Sequence, residues 1–455
     1  MPSKPKQNAI AVHPKVIEAL ERMNEELIYI HGTKEIVQLN PPVGETKLSY
    51  TSVYNFKHAD YSNRCIMIGG SPVYLADLWM KYPKRNEARI TVYEPSKPRI
   101  TKEGNLNAWF PSKCVPKKGD LTLWFQYLDY LFQSDSTYRE WFLIWLAYPL
   151  QIPGTKLKTG SFFWSNQQGN GKSTLGNAMR RIYGEHNSSL IKENEMFARF
   201  NDHLQNKQFI FVDELQRDGS GKKSDVIKPL ITQPTVSIET KYQRPYELID
   251  CMNYYITSNH IESLHLDPED RRFFVHNLGN AKAPKSFFKN LYNWLDNEDG
   301  YEAIYYFLLH DIDIKKPIVG GDPYTTAPAP FDPDADAPQS KARESLIQAS
   351  LDDADVWIQT VMESPQNVLG DMKDCTLFRS CELYDKFQLQ NPRYRITSVG
   401  FGRKLSRTLF RLNGDSPVIL FDGVRDRIYS SVPGRENLNA VQIRSVHEQE
   451  RKAIL

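Results

Sequence analysis

The stretch SFFWSNQQGNGKSTLGNAMRRIYG, residues 161–184, decides how the chain is read. Its first five residues are mostly apolar and predict a short strand. Residues 166–174 form a polar loop with two glycines, and Leu175, Ala178, Met179 and Ile182 then recur at helical spacing up to Gly184. Strand, loop and helix in that order make a phosphate cradle. Backbone N–H groups must approach an anion without side chains in the way, which accounts for Gly169 and Gly171, and the positive end of a helix dipole lies beneath them. The expected nucleotide-binding set is Gln168, Gly169, Asn170, Gly171, Lys172, Ser173 and Thr174. Lys172 would reach the β- and γ-phosphates, and the Ser173 hydroxyl would hold Mg²⁺. Asn166 departs from the G-x-x-x-x-G-K-[ST] pattern, standing where its first glycine belongs. Taken by itself the loop competes with an ordinary Gly-rich turn ahead of a helix.

The order of features downstream favours the phosphate site. Gln208-Phe-Ile-Phe-Val-Asp-Glu214 predicts an apolar strand ending in two carboxylates, the first of them 41 residues beyond Lys172. Such a strand delivers Asp213 rigidly to the mouth of a sheet as a metal ligand, while Glu214 is placed to orient and deprotonate an attacking water. Met252-Asn-Tyr-Tyr-Ile-Thr-Ser-Asn259 predicts a second apolar strand ending in an amide suited to sensing a γ-phosphate. Asp270-Arg271-Arg272-Phe273 then offers two guanidinium groups before a buried aromatic run. Glu214, Asn259, Arg271 and Arg272 are the candidate catalytic residues. Strands alternating with helices over residues 156–300 predict an α/β domain with a largely parallel sheet.

As a set, Asn-Gly-Lys-Ser-Thr, Val-Asp-Glu, Thr-Ser-Asn and Asp-Arg-Arg-Phe resemble the superfamily 3 helicase core, in particular the phage, plasmid and poxvirus-type primase–helicase proteins. The resemblance covers roughly residues 100–420. It implies an AAA+ type ATPase that binds ATP and Mg²⁺ and assembles as a ring, usually a hexamer, on single-stranded or forked DNA. In such rings an arginine from the neighbouring copy completes the ATP site, a role matched by Arg271 or Arg272. Family members often carry a primase-polymerase site before the helicase. Residues 1–120 contain no paired Asp-x-Asp or Asp-x-Glu on a convincing strand, so a primase-polymerase is expected as a fused or separate partner.

Residues 235–249 predict a hairpin: Val236 and Ile238 alternate with polar residues before the turn, and Tyr246 and Leu248 after it. Lys241, Tyr242 and Arg244 lie near its tip. The resemblance implies that this hairpin projects into the ring channel and that Lys241 grips the DNA backbone; a solvated tip is the plain alternative. A motor that moves on any sequence should use phosphate charge and base stacking. In the tail, residues 381–387 and 398–409 predict helices and residues 418–421 and 427–430 strands, a winged-helix order. Six lysines and arginines with no acids fall between Asn391 and Arg411, which makes Arg403, Lys404 and Arg407 candidate DNA contacts or a solvated face.

Working outward, the fold class is α/β. Residues 1–118 are an accessory α+β region, with a helix expected over 14–26 and two strands over 27–39. Residues 119–155 are a helical segment, residues 156–316 the ATPase core, residues 317–340 a Pro-rich flexible linker, and residues 341–455 a winged-helix-like domain. Trp141, Trp145 and Tyr148 on the second helix of residues 121–150 read as core packing. The 455 residues carry 57 Lys plus Arg against 55 Asp plus Glu, a net charge of +2. That balance excludes a histone-like tail and an acidic solvating polymer. The most apolar run, residues 141–153, is too short to span a membrane. Five scattered cysteines without a Cys-x-x-Cys pair point to a reducing, cytoplasmic setting. The expected function is an ATP-dependent DNA helicase replicating a phage or mobile element; a ring-forming regulatory or loader ATPase that does not unwind DNA is the competing reading.

Overall fold

A computed structural model describes residues 13–40, 48–133, 135–217, 222–241, 245–279, 282–412, 419–421, 424–435 and 437–454. The chain divides into two compact units, Met1–Leu346 and Ile347–Leu455.

The first unit opens on helix α1 (Pro14–Glu26), capped by the His13 side chain and burying Val16, Leu20 and Met23 on one stripe. Strands β1 (Leu27–Ile30) and β2 (Glu35–Gln38) follow as an antiparallel pair, with β3 (Ser49–Ser52) and β4 (Glu87–Ala88) completing a sheet of order β3-β2-β1-β4. Alternation divides its side chains between two small cores. Leu27 and Ile36 join α1, Phe56 and Trp79, while Ile28, Ile30 and Val37 meet Leu106 on the other side.

Helix α2 (Thr122–Leu131) buries Trp124, Tyr127, Leu128 and Leu131, and α3 (Arg139–Gln151) buries almost every apolar residue it carries. They cover a five-stranded sheet built from β5 (Gly160–Trp164), α4 (Lys172–Tyr183), β6 (Ser188–Ile191), β7 (Phe209–Val212), α5 (Lys222–Thr232), a hairpin of β8 (Thr235–Ile238) and β9 (Tyr246–Ile249), β10 (Asn253–Ser258), β11 (Phe273–Asn277) and α6 (Lys285–Asn297). All neighbours in the sheet are parallel, in the order β6-β7-β10-β5-β11. Strands β5, β7 and β10 are buried end to end, as a parallel sheet covered on both faces requires. Phe163, Phe211, Tyr255 and Phe274 share one core with α2, α3, α4 and α6. The opposite face receives α5: a Cβ placed on Gly160 would sit 2.7 Å from Ile231. Trp141 packs on Phe274 with ring centroids 4.8 Å apart, and Trp145 donates to the Thr159 hydroxyl at 3.1 Å, so the aromatic residues of α3 are core.

The expectation of a flexible linker over residues 317–340 is corrected here. Ile318 and Ala329 form a β-bridge, Lys158 N–H donates to the Pro333 carbonyl at 2.9 Å, and Ala337 N–H donates to that of Arg271 at 2.7 Å. Phe331 packs at a tilt against Trp141 and Tyr148, and the buried Ser340 hydroxyl donates to the Val275 carbonyl at 2.6 Å. Proline restricts the unfolded chain and so lowers the entropy lost when such a stretch lies down on a core. Low apolar content had hidden a strap whose docking rests on three or four residues, and the boundary between units falls at 346/347.

The second unit contains α7 (Asp353–Glu363), β12 (Leu377–Arg379), α8 (Ser380–Gln390), α9 (Ser398–Thr408), β13 (Phe410–Arg411), β14 (Ile419–Phe421), β15 (Val424–Asp426), β16 (Ile428–Ser430) and α10 (Ala440–Lys452). An antiparallel sheet of order β12-β16-β13 and the β14-β15 hairpin accompany the helices. Trp357, Phe387, Phe401, Leu405 and Tyr429 form the core. The two expected helices and the two strand regions are present, except that Val418 lies outside the described residues. Among the described residues of the whole chain, no helix is long and apolar enough to cross a membrane.

Candidate active site

The C-terminal edge of the parallel sheet gathers three of the four predicted motifs: the glycine loop, the acidic strand end and Asn259. The loop between β5 and α4 turns through two left-handed glycines, Gly169 (φ +72°) and Gly171 (φ +87°). A Cβ on Gly171 would also meet Phe288 at 2.9 Å, so both backbone and space require glycine there. Asn166 has no positive φ, which explains why the first position of the loop tolerates a side chain. Tyr127 on α2 donates to the Gly171 carbonyl at 2.7 Å, and Tyr255 on β10 to that of Lys172 at 3.0 Å. The loop is thereby pinned from two sides.

Lys172 is buried, and its ammonium donates to Asn170 Oδ1 and Asn259 Oδ1, each at 3.0 Å. Burial pulls its pKa down to about 8 against the opposing charges of Asp213 and Glu214. Because β10 lies between β5 and β7, Asn259 at its end stands between the loop lysine and the acidic strand. Ser173 donates to Asp213 Oδ1 at 2.8 Å, and Thr257 donates to the same oxygen at 2.8 Å. Among the described residues Asp213 Oδ2 takes no protein hydrogen bond, and the buried amide nitrogen of Asn170 has no partner. An open carboxylate oxygen, an orphaned buried donor and a lysine ammonium fit a metal-bound polyphosphate. No group of three His, Cys, Asp or Glu that could hold a metal occurs among the described residues. Mg²⁺ would therefore take Ser173 and Asp213 from the protein and the rest of its oxygen shell from phosphate and water.

Glu214 adopts φ +57°, a left-handed conformation that costs a non-glycine residue on the order of 1 kcal/mol. Hydrogen bonds hold it there: its N–H donates to the Thr257 hydroxyl at 3.3 Å, and Leu215 N–H to the Thr257 carbonyl at 2.9 Å. The turn puts Glu214 on the wall between two cavities. One, of about 140 Å³, is lined by the loop, Asp213, Thr257, Asn259 and Tyr292. The other, of about 540 Å³, is lined by Lys192, Glu193, Phe197 and Gln216. Lys223, at the start of α5, pairs with Glu193 at 2.6 Å and donates to the carbonyls of Gln216 and Arg217, so it fixes the exit of the acidic strand.

Arg271 and Arg272 are not brought to this site. Register pairs Phe273 with Gly160 and Asn277 with Trp164, so both arginines precede β11 at the opposite, N-terminal edge of the sheet, roughly 16 Å away along five strand residues. Arg272 is held by Asp270 at 3.1 Å. The Arg271 side chain is 69% exposed and contacts Asp336 at 3.6 Å. At the hairpin, Lys241 is exposed, with its ammonium 5.8 Å from the Phe200 ring centroid; Tyr242 and Arg244 lie outside the described residues. Arg199 pairs with Glu239 at 2.7 Å, and Asn201 exchanges hydrogen bonds with Ser237 and Glu239, tying residues 199–201 to β8. In the second unit Arg403 and Arg407 are exposed on α9. Lys404 is turned inward instead: it bridges Asp352 at 2.8 Å and Asp355 at 2.6 Å, and these carboxylates outweigh burial to raise its pKa. One residue along a helix is a 100° rotation, enough to move it off the face of its neighbours.

Sequence reasoning missed Thr257, Tyr127 and Tyr292. Thr257 had a signal, since the residue opposite Asp213 on the adjacent parallel strand must border the same pocket. The two tyrosines come from helices 44 and 118 residues away from their partners and leave no local pattern.

Comparison with known proteins follows the same regions. A family model described as a family of unknown function (DUF5906) matches residues 163–272, the segment from the loop strand to the arginine pair. A DNA primase-polymerase of Nitratiruptor phage NrS-1 is 29% identical over 224 residues, or 47% of this chain. The match spans 31% of that protein, less than a third of its length. The apo structure of the NrS-1 C-terminal region superposes with a TM-score of 0.62 at 17% identity, covering 91% of this chain and 98% of that one. An A form apo structure of the same region gives 0.60 at 17% identity with the same coverage. The chain thus shares its mixed α/β fold with the NrS-1 C-terminal region.

Proposed function

We propose that the chain is the ATP-driven motor of a phage DNA-replication protein, a helicase of the superfamily 3 type that works as a hexameric ring on single-stranded or forked DNA. One observation carries this reading: Lys172, Ser173, Asp213, Thr257 and Asn259 converge on one small cavity at the sheet edge. The sheet then serves as an AAA+ type core and the second unit as a winged-helix-like DNA contact. The phage primase-polymerase named among the relatives supports the setting.

Bound Mg²⁺ would neutralise phosphate charge as it develops. The chain's own residues do the rest. Loop N–H groups and Lys172 hold the β- and γ-phosphates, and Asn259 keeps the lysine aimed at them. Glu214, reached from the larger cavity, takes the proton of the attacking water as the bond from the β-phosphate bridging oxygen to the γ-phosphorus breaks. Arg271, exposed and far from its own loop, would serve the site of the neighbouring copy.

ATP hydrolysis measured with and without single-stranded DNA, alongside the molar mass of the assembly, tests this reading. The wild type should hydrolyse ATP faster with DNA and run as a hexamer, and Lys172→Ala should lose hydrolysis. A DNA-independent monomer unaffected by the substitution would overturn it. Lys241→Ala should abolish unwinding while hydrolysis survives; intact unwinding removes the channel role of the hairpin.

A further inference from the structure

The cavity that gathers the catalytic motifs is small. At about 140 Å³ it falls below the roughly 300 Å³ at which pockets begin to enclose a drug-sized ligand. It has room for a phosphate chain and its metal, so a nucleoside must extend beyond it. Tyr292 stands at that exit. This α6 residue lines the cavity, is 46% exposed, and shares a 2.9 Å hydrogen bond between its hydroxyl and that of Thr174. Thr174 is two residues past Lys172 and lines the same cavity in the first turn of α4, so the Tyr292 ring borders the phosphate loop at its helix end.

The ring is also built to keep its position. Phe288, one helical turn earlier, packs against Gly171 and lies roughly parallel to Tyr292, with centroids 6.2 Å apart and planes 30° apart. Tyr130 from α2 meets Phe288 edge-on at 5.8 Å. A half-exposed aromatic, backed by a partly buried aromatic pair and fixed at its hydroxyl, offers one π-face at the mouth of a phosphate site.

We propose that Tyr292 is the nucleobase platform of this site: the base of the bound nucleotide stacks on its ring while the hydroxyl stays on Thr174. The assignment rests on the nucleotide-binding reading given above. It makes Tyr292 a binding residue for the nucleoside and leaves the phosphates to the loop.

Titration of wild type, Tyr292→Ala, Tyr292→Phe and Lys172→Ala with Mg·ATP and with Mg·tripolyphosphate, which lacks a nucleoside, tests it. Stacking on an aromatic side chain corresponds to roughly tenfold in affinity. Tyr292→Ala should weaken ATP by about that factor, raise KM with kcat little changed, and leave tripolyphosphate at the wild-type value. Tyr292→Phe should keep wild-type ATP affinity. The substitution lies on an exposed helical position where alanine is favourable, so folding should survive. Equal loss of both ligands in Tyr292→Ala would make the tyrosine a support of the loop and overturn the proposal, as would no loss of either. In both cases the nucleotide reading stands if Lys172→Ala loses ATP. A wild-type protein that binds neither ligand overturns both.

Discussion

Lys172 enters the site with a weakened hold on its proton. Its ammonium has two asparagine oxygens at 3.0 Å and the Gln167 carbonyl at 3.4 Å to replace water, and burial brings its pKa to about 8. Phosphate binds the charged form. Below pH 8 the lysine is already protonated and nucleotide affinity should be flat with pH. Above pH 8 each binding event must take up a proton, so the dissociation constant should rise about tenfold per pH unit until the nucleotide-bound lysine itself titrates. Fluorescent-nucleotide titrations between pH 7 and 9.5 check this, and a flat profile would mean that the lysine does not touch the phosphates. The same scale explains what could be read beforehand: Asp213 and Asn259 are visible because each ends an apolar run, whereas the inward turn of Lys404 depends on Asp352 and Asp355, two acids about fifty residues earlier.

At the scale of elements, the fit between helix α4 and strand β7 sets how closely the loop can approach the acidic strand. Gly176, one turn into α4, lies over the Phe211 ring, where an added Cβ would come within 2.7 Å of three ring atoms. Alanine there gains up to about 1 kcal/mol of helix propensity. Overpacking a core costs roughly 1–3 kcal/mol, so Gly176→Ala should still lower stability, and thermal unfolding of the variant measures the balance. If the variant is more stable than wild type, α4 is free to shift on the sheet. Elements with a strong period were legible here. Helix α1, strands β1 and β2, strand β5 and helix α4 all follow from apolar spacing. The strap over residues 317–340 was not, because its docking depends on isolated side chains such as Phe331, Ala337 and Ser340 and has no repeating period. The same holds for β12 and β15, three residues each, which exist only through their partners.

At the scale of the molecule, the second unit holds a largely buried carboxylate whose ionisation makes that unit sensitive to acid. In the second unit the Glu382 carboxylate receives Arg451 at 2.8 Å, His447 at 3.1 Å and the Arg379 N–H at 2.8 Å. Burial alone would raise its pKa, but these donors hold it at about 2. A carboxyl whose folded pKa is depressed contributes stability in full above its unfolded value near 4.5. That contribution is lost as pH falls from there towards 2. Glu382→Gln should therefore cost the second unit roughly 2 kcal/mol at neutral pH and flatten its acid unfolding between pH 4.5 and 2. Calorimetry of the full chain, with one transition per unit, reads both effects; an unaltered acid profile in the variant would assign the acid sensitivity elsewhere. The docked strap bears on how such a protein can be recombined. A gene spliced at the proline run would leave its upstream half with bare Trp141 and Tyr148 ring faces and an unmet Arg271 carbonyl, although that run looks like the natural hinge. A workable exchange of tails between relatives has its seam near residue 346, after the strap has closed over the sheet.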